Sequence, residues 1–409
     1  MKTSSCSIPW VSVHWNRMPS ESYAVFQHEL EAGLRDVAAR SQQRTLAEIR
    51  GINFCSNDYL GLAEHPGLKE ALLNAVHDAP RVGGTGSRLL SGYSAIWEEL
   101  EGEFARFAGT EAALYFGSGY AANLGLLGCV MGREDLVFSD AMNHASLIDG
   151  IRLSRARKVV YPHLDLNALE NGLRAHASEK CRKFIVTETV FSMDGDVASV
   201  AELLGLGDRY GATLIVDEAH ATAVHGPRGR GIAARDSGFE GVAAVVHTCG
   251  KALASAGAFV CGSALLREHL INHARTFLFT TAMPPYMAGQ IRAALRLALG
   301  MDAEREELQS RAERFASSLR AQGWDIAGSV TQIVPVVLGG NEEALGAAEF
   351  LQAEGIAVRA IRPPTVSEGQ ARLRFSLTSS IQADEIHILG DALGNWRARR
   401  HGFATTGRA

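Results

Sequence analysis

The sequence predicts an α/β protein: a mostly parallel central sheet with helices on both faces, plus a smaller α+β C-terminal domain. Three observations predict it. Short apolar, β-branched runs alternate with helical stretches from about residue 52 to about residue 290. Those runs are apolar throughout, as strands buried on both faces are. After Pro284-Pro285 the texture changes to a long charged helical region followed by shorter strands and helices.

The elements follow in order. Ser22–Ala39 reads as one amphipathic helix, with Phe26, Leu30, Leu34 and Val37 on its apolar stripe. Ile52–Cys55 reads as a short strand. The candidate strands of the sheet are Ala112–Phe116, Leu136–Ser139, Lys158–Tyr161, Phe184–Thr187, Thr213–Val216, Val242–His247 and Ala258–Gly262. Helices are expected between them, among them Ser94–Phe107, Leu166–Ala177 and Val200–Tyr210. One helical region is expected over Pro285–Gly323, most charged at Ala303–Arg314. Then come strand Ile333–Leu338, helix Glu342–Glu354, strands Ala357–Ile361 and Ala371–Leu377, and helix Ala383–Arg397. The expected division is an N-terminal segment and helix over 1–52, a large domain over 53–290, a small domain over 291–398 and a disordered tail over 399–409.

Composition narrows the function class. The chain has 409 residues, 46% hydrophobic and 21% charged, which is ordinary for a globular protein with a large core. A net charge of −5 argues against a nucleic-acid binder with a broad basic face. No apolar stretch approaches the roughly 20 residues of a membrane span, and the N-terminus lacks the apolar run of a signal peptide. The six cysteines are scattered without C-x-x-C spacing, so reduced thiols in a cytoplasmic protein are expected.

Lysine usage singles out one residue. Lys and Arg total 40, yet only six are lysines. Lys2, Lys69, Lys158, Lys180 and Lys183 sit at a terminus or beside polar or charged neighbours, where a solvated ammonium is expected. Lys251 sits in Val245–Gly257, a stretch with no carboxylate and no other fixed charge. Burying an ammonium is costly and depresses its pKa, so this lysine needs a chemical reason.

Four further constellations carry chemistry. Leu214-Ile215-Val216-Asp217-Glu218-Ala219-His220 is an apolar strand delivering polar groups at its C-terminal end, where open α/β sheets bind ligands. A buried Asp217 needs a cationic or hydrogen-bonding partner, and a protonated pyridine nitrogen would serve; capping the next helix is the plainer alternative. Asp217-Glu218-Ala219-His220 also resembles the acidic box of a helicase-type ATPase. No G-x-x-x-x-G-K-[ST] loop accompanies it, since Ala252 follows Gly250-Lys251 and Gly83–Arg88 has no lysine. Tyr115-Phe116-Gly117-Ser118-Gly119-Tyr120 is a strand, a Gly-rich turn and a helix start, suited to phosphate, and Thr248 could add a hydroxyl. His144 in Asn143-His144-Ala145-Ser146 could stack on an aromatic ring or be a structural histidine. Arg372 and Arg374 alternate on a strand and share a face; a guanidinium there suits a carboxylate, or the face is merely solvated.

These segments occur in a fixed order with Asn57-Asp58-Tyr59-Leu60-Gly61-Leu62, Gly84-Thr85-Gly86-Ser87-Arg88 with Ser91-Gly92, Phe191-Ser192-Met193-Asp194-Gly195, Thr248-Cys249-Gly250-Lys251 and Thr280-Thr281-Ala282-Met283-Pro284-Pro285. Taken together they resemble the α-oxoamine synthases, a branch of the fold-type-I pyridoxal-phosphate (PLP) enzymes, from Asn53 to about Leu393. Ile361–Val366, Gly369 and Ala371–Arg374 look most like the branch that joins L-alanine to a pimeloyl thioester in biotin synthesis. Sister branches use glycine or serine with other acyl-CoAs, as glycine C-acetyltransferase and serine palmitoyltransferase do. A non-catalytic subunit on the same fold is a further alternative, which the presence of Lys251, Asp217, His220 and His144 disfavours.

The resemblance implies roles. Lys251 would carry pyridoxal 5'-phosphate as a Schiff base, Asp217 would pair with its pyridine nitrogen, and His144 would stack on its ring. His220 and Ser192 would lie near the ring hydroxyl. Ser118, Gly119, Tyr120 and Thr248 would hold the phosphate, with Thr280 and Thr281 reaching it from the second subunit of a homodimer. Asn57 and Arg374 would bind the substrate carboxylate, and Ser87 would leave room for the methyl of alanine. Thr365 and Arg44 would contact the acyl substrate, carried by CoA or a carrier protein. No metal is implied. Trp97, Ala221, Ala223 and Ala254 depart from the family pattern, the first replacing a histidine and the others glycines, and each adds bulk or restricts the backbone.

Overall fold

The structure, a computed structural model, describes residues 20–406, with side chains through Arg399. Expectations for residues 1–19, Lys2 and Cys6 among them, lie outside the described residues. The chain divides into two compact units, Met1–Glu48 and Ile49–Ala409. In the first, the helix Glu21–Ala39 starts at Ser20, whose hydroxyl accepts the Tyr23 N–H at 3.3 Å. Glu31–Arg35 and Asp36–Arg40 pair one turn apart along it.

Among the described residues the second unit contains twelve strands: β1 (Ile52–Asn53), β2 (Ala112–Phe116), β3 (Leu136–Asp140), β4 (Arg157–Tyr161), β5 (Lys183–Glu188), β6 (Ala212–Asp217), β7 (Val242–Thr248), β8 (Ala258–Gly262), β9 (Ile333–Gly339), β10 (Ile356–Ala357), β11 (Ala360–Ile361) and β12 (Ala371–Ser376). Seven form one sheet in the order β2-β8-β7-β6-β5-β3-β4. Only β8 runs antiparallel to its neighbours; the other pairs are parallel. Alternate residues feed two cores. Leu114, Val137, Val186, Ile215, Val246 and Val260 pack on one face, and Tyr115, Phe138, Ile185, Val216, Val245 and Phe259 on the other. Burial on both sides explains why the strands read as continuous apolar runs.

A three-stranded antiparallel sheet, β11-β12-β9, lies in the C-terminal part of the chain. β1 pairs in parallel with β10, Ile52 opposite Ile356, so a segment just after the first unit joins C-terminal elements. Phe54 extends this, donating to the Ala357 carbonyl and accepting from the Ser376 N–H, both at 2.9 Å. That places the Asn57 turn next to β12.

The chain differs from expectation in four places. The strand expected over Ala357–Ile361 is two short strands, because the chain passes from pairing with β1 to pairing with β12. The helical region after Pro285 breaks at Gly300-Met301 into Pro285–Leu299 and Asp302–Ala321. The last helix runs Ala383–Thr406, past the Arg397 expected. Lys183 is buried rather than solvated; its ammonium donates to the Glu179 carbonyl at 3.0 Å. Among the described residues no helix is long and apolar enough to cross a membrane.

Candidate active site

The C-terminal ends of the parallel strands converge, as the geometry of an open α/β sheet requires of a ligand site. β6 ends at Asp217, which is 4% exposed. Its Oδ1 accepts the Ala219 N–H at 2.8 Å, and its Oδ2 accepts from Asn123 Nδ2 at 2.6 Å. β7 ends at Thr248, and Lys251 follows in a tight loop. There the Cys249 N–H meets the Gly257 carbonyl at 2.8 Å, and the Ala254 N–H meets that of Lys251 at 2.8 Å. β2 leads to Ser118, which caps the helix Gly119–Val130 by accepting the Ala121 N–H at 3.0 Å. β3 leads to His144, which caps the helix Ala145–Ser154 in the same way. β5 ends at Glu188, directly beside Asp217 in register.

These strand ends enclose a cavity of 390 Å³, lined by eight of the residues singled out by sequence: Ser118, Gly119, Tyr120, His144, Asp217, His220, Thr248 and Lys251. Lys251 Nζ lies 3.0 Å from His220 Nε2, and His220 Nδ1 lies 2.6 Å from the Tyr59 hydroxyl. Burial pushes the Lys251 ammonium down to about 8, with Arg374 adding to the shift and Asp217 and Glu188 opposing it. Burial, then the charge of Lys251, holds the His220 imidazole neutral. Burial beside Asp217 raises the Glu188 carboxyl to about 8.

A second cluster adjoins this one through Tyr59. Arg374 on β12 donates to Asn57 Oδ1 at 3.1 Å, to Ser376 Oγ at 2.6 Å and to the Ser192 carbonyl. Arg372, on the same strand face, pairs with Asp194. The two arginines thus dock on one turn, Ser192–Asp194, and the solvated-face alternative fails because both are buried.

Four other residues singled out by sequence lie in this unit but do not line the cavity. Ser87 turns its carbonyl to the Leu90 and Gly92 N–H groups at 3.0 Å. Thr280, Thr281 and Thr365 are exposed. Arg44 belongs to the first unit, Met1–Glu48. Sequence reasoning missed Glu188, Asn123 and Tyr59. Glu188 was the most accessible of these, since it closes an apolar strand as Asp217 does.

The donor set fits a phosphorylated pyridine aldehyde. The cavity offers an amine for the aldehyde, a buried carboxylate for a ring nitrogen, and a helix N-terminus for the phosphate. Gly119 is needed for that close approach: a Cβ there would stand 2.8 Å from Thr248 Cγ2. Ser255 Oγ, at the same wall, is buried without a partner, and so is Asn123 Oδ1. A volume of 390 Å³ falls within the range of about 300–1,000 Å³ common for small-molecule sites.

Comparison with known proteins agrees with this geometry. Residues 49–393 match the family described as aminotransferase class I and II. The 8-amino-7-oxononanoate synthase of Geobacter sulfurreducens is 47% identical over 354 residues, covering 86% of this chain and 90% of that one. A solved structure of SPT with PLP internal aldimine is 28% identical, with a TM-score of 0.81, covering 93% and 97% of the two chains. The solved 8-amino-7-oxononanoate synthase of Francisella tularensis is 30% identical, with a TM-score of 0.74, covering 86% and 99%. The chain belongs to the class I and II aminotransferase family, in the branch of the 8-amino-7-oxononanoate synthases.

Proposed function

We propose that this chain condenses L-alanine with a pimeloyl (6-carboxyhexanoyl) thioester, giving 8-amino-7-oxononanoate, CO2 and free thiol, a step of biotin biosynthesis. The observation that carries this reading is the convergence of Lys251, Asp217, His144 and His220 on one cavity, in a chain 47% identical to a relative named for that product. Pyridoxal 5'-phosphate, when bound, supplies an electron sink for negative charge developing at the carbon next to the amine.

The residues divide the remaining work. Lys251 would hold the cofactor, and Asp217, oriented by Asn123 Nδ2 and the Ala219 N–H, would face its pyridine nitrogen. Ser118, Gly119, Tyr120 and Thr248 receive the phosphate, with Thr280 and Thr281 of a second subunit. His144 would face the ring, and His220 and Ser192 would serve its hydroxyl. Arg374 and Asn57 orient the alanine carboxylate, and Ser87 accommodates its methyl. Arg44 and Thr365 meet the acyl substrate. Burial lowers the Lys251 ammonium to about 8, which eases its conversion to the free amine. It takes the Cα proton of alanine and later returns one to the product carbon.

This assignment of Thr280 and Thr281 requires a homodimer. Both are exposed in the single chain, next to Phe279 at 73% exposure; Leu90 is 76% exposed and Tyr93 53%. Apolar exposure of that kind fits a subunit interface. A cytoplasmic setting is supported by the five described cysteines, all of them free.

The test is a substrate matrix: alanine, glycine and serine against pimeloyl, acetyl and palmitoyl thioesters, with CO2 and thiol release measured. Alanine with the pimeloyl thioester should give the highest kcat/KM. Turnover with glycine and acetyl-CoA alone would refute the assignment. Light scattering of the purified protein should return twice the chain mass of 43.9 kDa.

A further inference from the structure

Asn123 sits inside the helix Gly119–Val130, one turn after the Gly119 end and on the same face. It is buried, among Ala122, Gly125, Leu126 and Leu127. An asparagine there is locally unfavourable, because its side chain competes for backbone hydrogen bonds. Its Oδ1 is also buried without a partner. A leucine, with the same branched outline, would incur neither cost. The amide nitrogen accounts for the residue. Both of its hydrogens are used, one on Asp217 Oδ2 at 2.6 Å and one on Ser146 Oγ at 2.9 Å. Turning the amide over would set Oδ1 against the carboxylate, so Asp217 fixes its orientation.

Ser146 lies on the neighbouring helix, Ala145–Ser154, and is also buried. Gly150 lets the two helices meet here: a Cβ on it would stand 2.9 Å from the Asn123 carbonyl. The Ser146 hydroxyl accepts from Asn123, so its own proton is directed to His144 Nδ1, 2.8 Å away. The Ser146 N–H reaches the same nitrogen at 3.2 Å. With two donors aimed at it, Nδ1 carries no proton, and the imidazole is neutral with its proton on Nε2. Glu188 Oε1 holds the His144 N–H at 2.7 Å, and Tyr120 stands edge-on to the ring at 6.3 Å.

We infer that Asn123 and Ser146 are positioning residues that join Asp217 to His144 and hold the imidazole as its neutral Nε2–H tautomer, with the cofactor absent or bound. The chain takes its direction from Asp217: the carboxylate sets the amide, the amide sets the hydroxyl, and the hydroxyl sets the imidazole. The two groups assigned to the cofactor, one at its nitrogen and one at its ring, are thus held as one piece. None of these bonds involves Lys251, His220 or Ser192, so a cofactor bonded to the lysine and contacting the other two displaces none of them. Asp217 accepts one side-chain bond on each oxygen, by Ala219 N–H and by Asn123. A carboxylate has about four lone-pair sites, so the pyridine nitrogen finds a free one. The charged groups that face His144 are Asp217 and Lys251. A Schiff base alters the second and leaves the chain of hydrogen bonds intact.

The inference rests on reading Asp217 and His144 as the groups that face the cofactor, and its test separates the two. Full-length chain with 15N-labelled histidine and asparagine is compared empty and loaded with pyridoxal 5'-phosphate near neutral pH. The His144 signals are assigned by their loss in His144→Gln. In the wild type Nε2 should be pyrrole-like and Nδ1 pyridine-like in both forms, with the Asn123 amide protons protected from exchange. In Ser146→Ala the preference for the Nε2–H tautomer should fall about tenfold. Asn123→Leu should move the His144 shifts in the same direction without touching the histidine, because the freed hydroxyl can accept from Nδ1–H. It should also weaken cofactor binding about tenfold in equilibrium dialysis, Asp217 having lost its amide. A wild-type His144 that is protonated, carries its proton on Nδ1 or changes tautomer on loading overturns the inference, even if the variants fail to fold. So does a folded Asn123→Leu variant with the His144 shifts unchanged, the result expected of a residue that only ties two helices together. The tautomer readouts need no turnover, so inactivity toward alanine and pimeloyl thioester would count against the proposed function alone.

Discussion

His163 offers the sharpest test of how charge holds this fold together. Its imidazole bridges two carboxylates, with Nδ1 2.8 Å from Asp140 Oδ1 and Nε2 2.8 Å from Asp196 Oδ2. Phe191 packs edge-on against the ring at 4.4 Å. Both nitrogens must donate, so the ring is an imidazolium. Although burial opposes this charge, the hydrogen bonds and the charges of Asp140 and Asp196 raise the histidine from 6.5 to about 10. The third nearby carboxylate, Asp194, is taken by Arg372.

At about 1.4 kcal/mol per pH unit, that rise sets a ceiling of about 5 kcal/mol. The side chain is 23% exposed, and solvent screening reduces the figure to about 2–3 kcal/mol. The folded-state value lies above the unfolded one. The contribution is therefore whole below about pH 6.5, shrinks as pH rises, and is gone above about pH 10. His163→Gln should be less stable than wild type by about 2–3 kcal/mol at pH 6. The gap should fall below about 0.5 kcal/mol at pH 10. Urea unfolding followed by circular dichroism at the two pH values measures it, and a histidine Cε1 proton titration reads the ring directly. A ring titrating at or below 6.5, or a gap that does not change with pH, would refute the reasoning.

Three further outcomes are expected. Ala254 holds φ +42 in the Lys251 loop, where an L-residue is strained; Ala254→Gly should stabilise the chain by about 0.5–1 kcal/mol, read as a higher urea midpoint. Gly119→Ala should weaken cofactor binding about tenfold by equilibrium dialysis, because its Cβ would press on Thr248 Cγ2; unchanged affinity would remove Gly119 from the phosphate cradle. Arg374→Lys should raise KM for alanine about 10- to 100-fold while leaving that for the acyl thioester within about threefold, and equal rises in both would argue against a carboxylate role.

Much of the molecule was legible in the sequence, and the exceptions have physical causes. The strands of the seven-stranded sheet fell within a residue of expectation at most ends, because burial on both faces leaves an unbroken apolar signature. The antiparallel course of β8 was not legible, since direction depends on the connection rather than on composition. Lys251, Asp217, His144 and His220 could be singled out because each sits at a strand end or in an apolar run. Their partners Asn123 and Tyr59 could not, since an amide inside a helix and a tyrosine in a turn look ordinary until the fold brings them to Asp217 and His220. His163 was invisible for the same reason, its two carboxylates lying 23 and 33 residues away. Lys183 misled in the opposite sense, because polar sequence neighbours do not report burial.

Trp97 lies against Tyr115 with ring centroids 4.2 Å apart. Its indole N–H donates to the Met283 carbonyl at 3.2 Å, and the Tyr115 hydroxyl donates to the Ala256 carbonyl at 3.0 Å. Trp97 thus gives the chain a native optical reporter, wired on one side to the lysine loop and on the other to the segment that follows Thr280 and Thr281. A chromophore entering the cavity would quench this buried indole by energy transfer, so loading of the site can be followed in real time without attaching a dye.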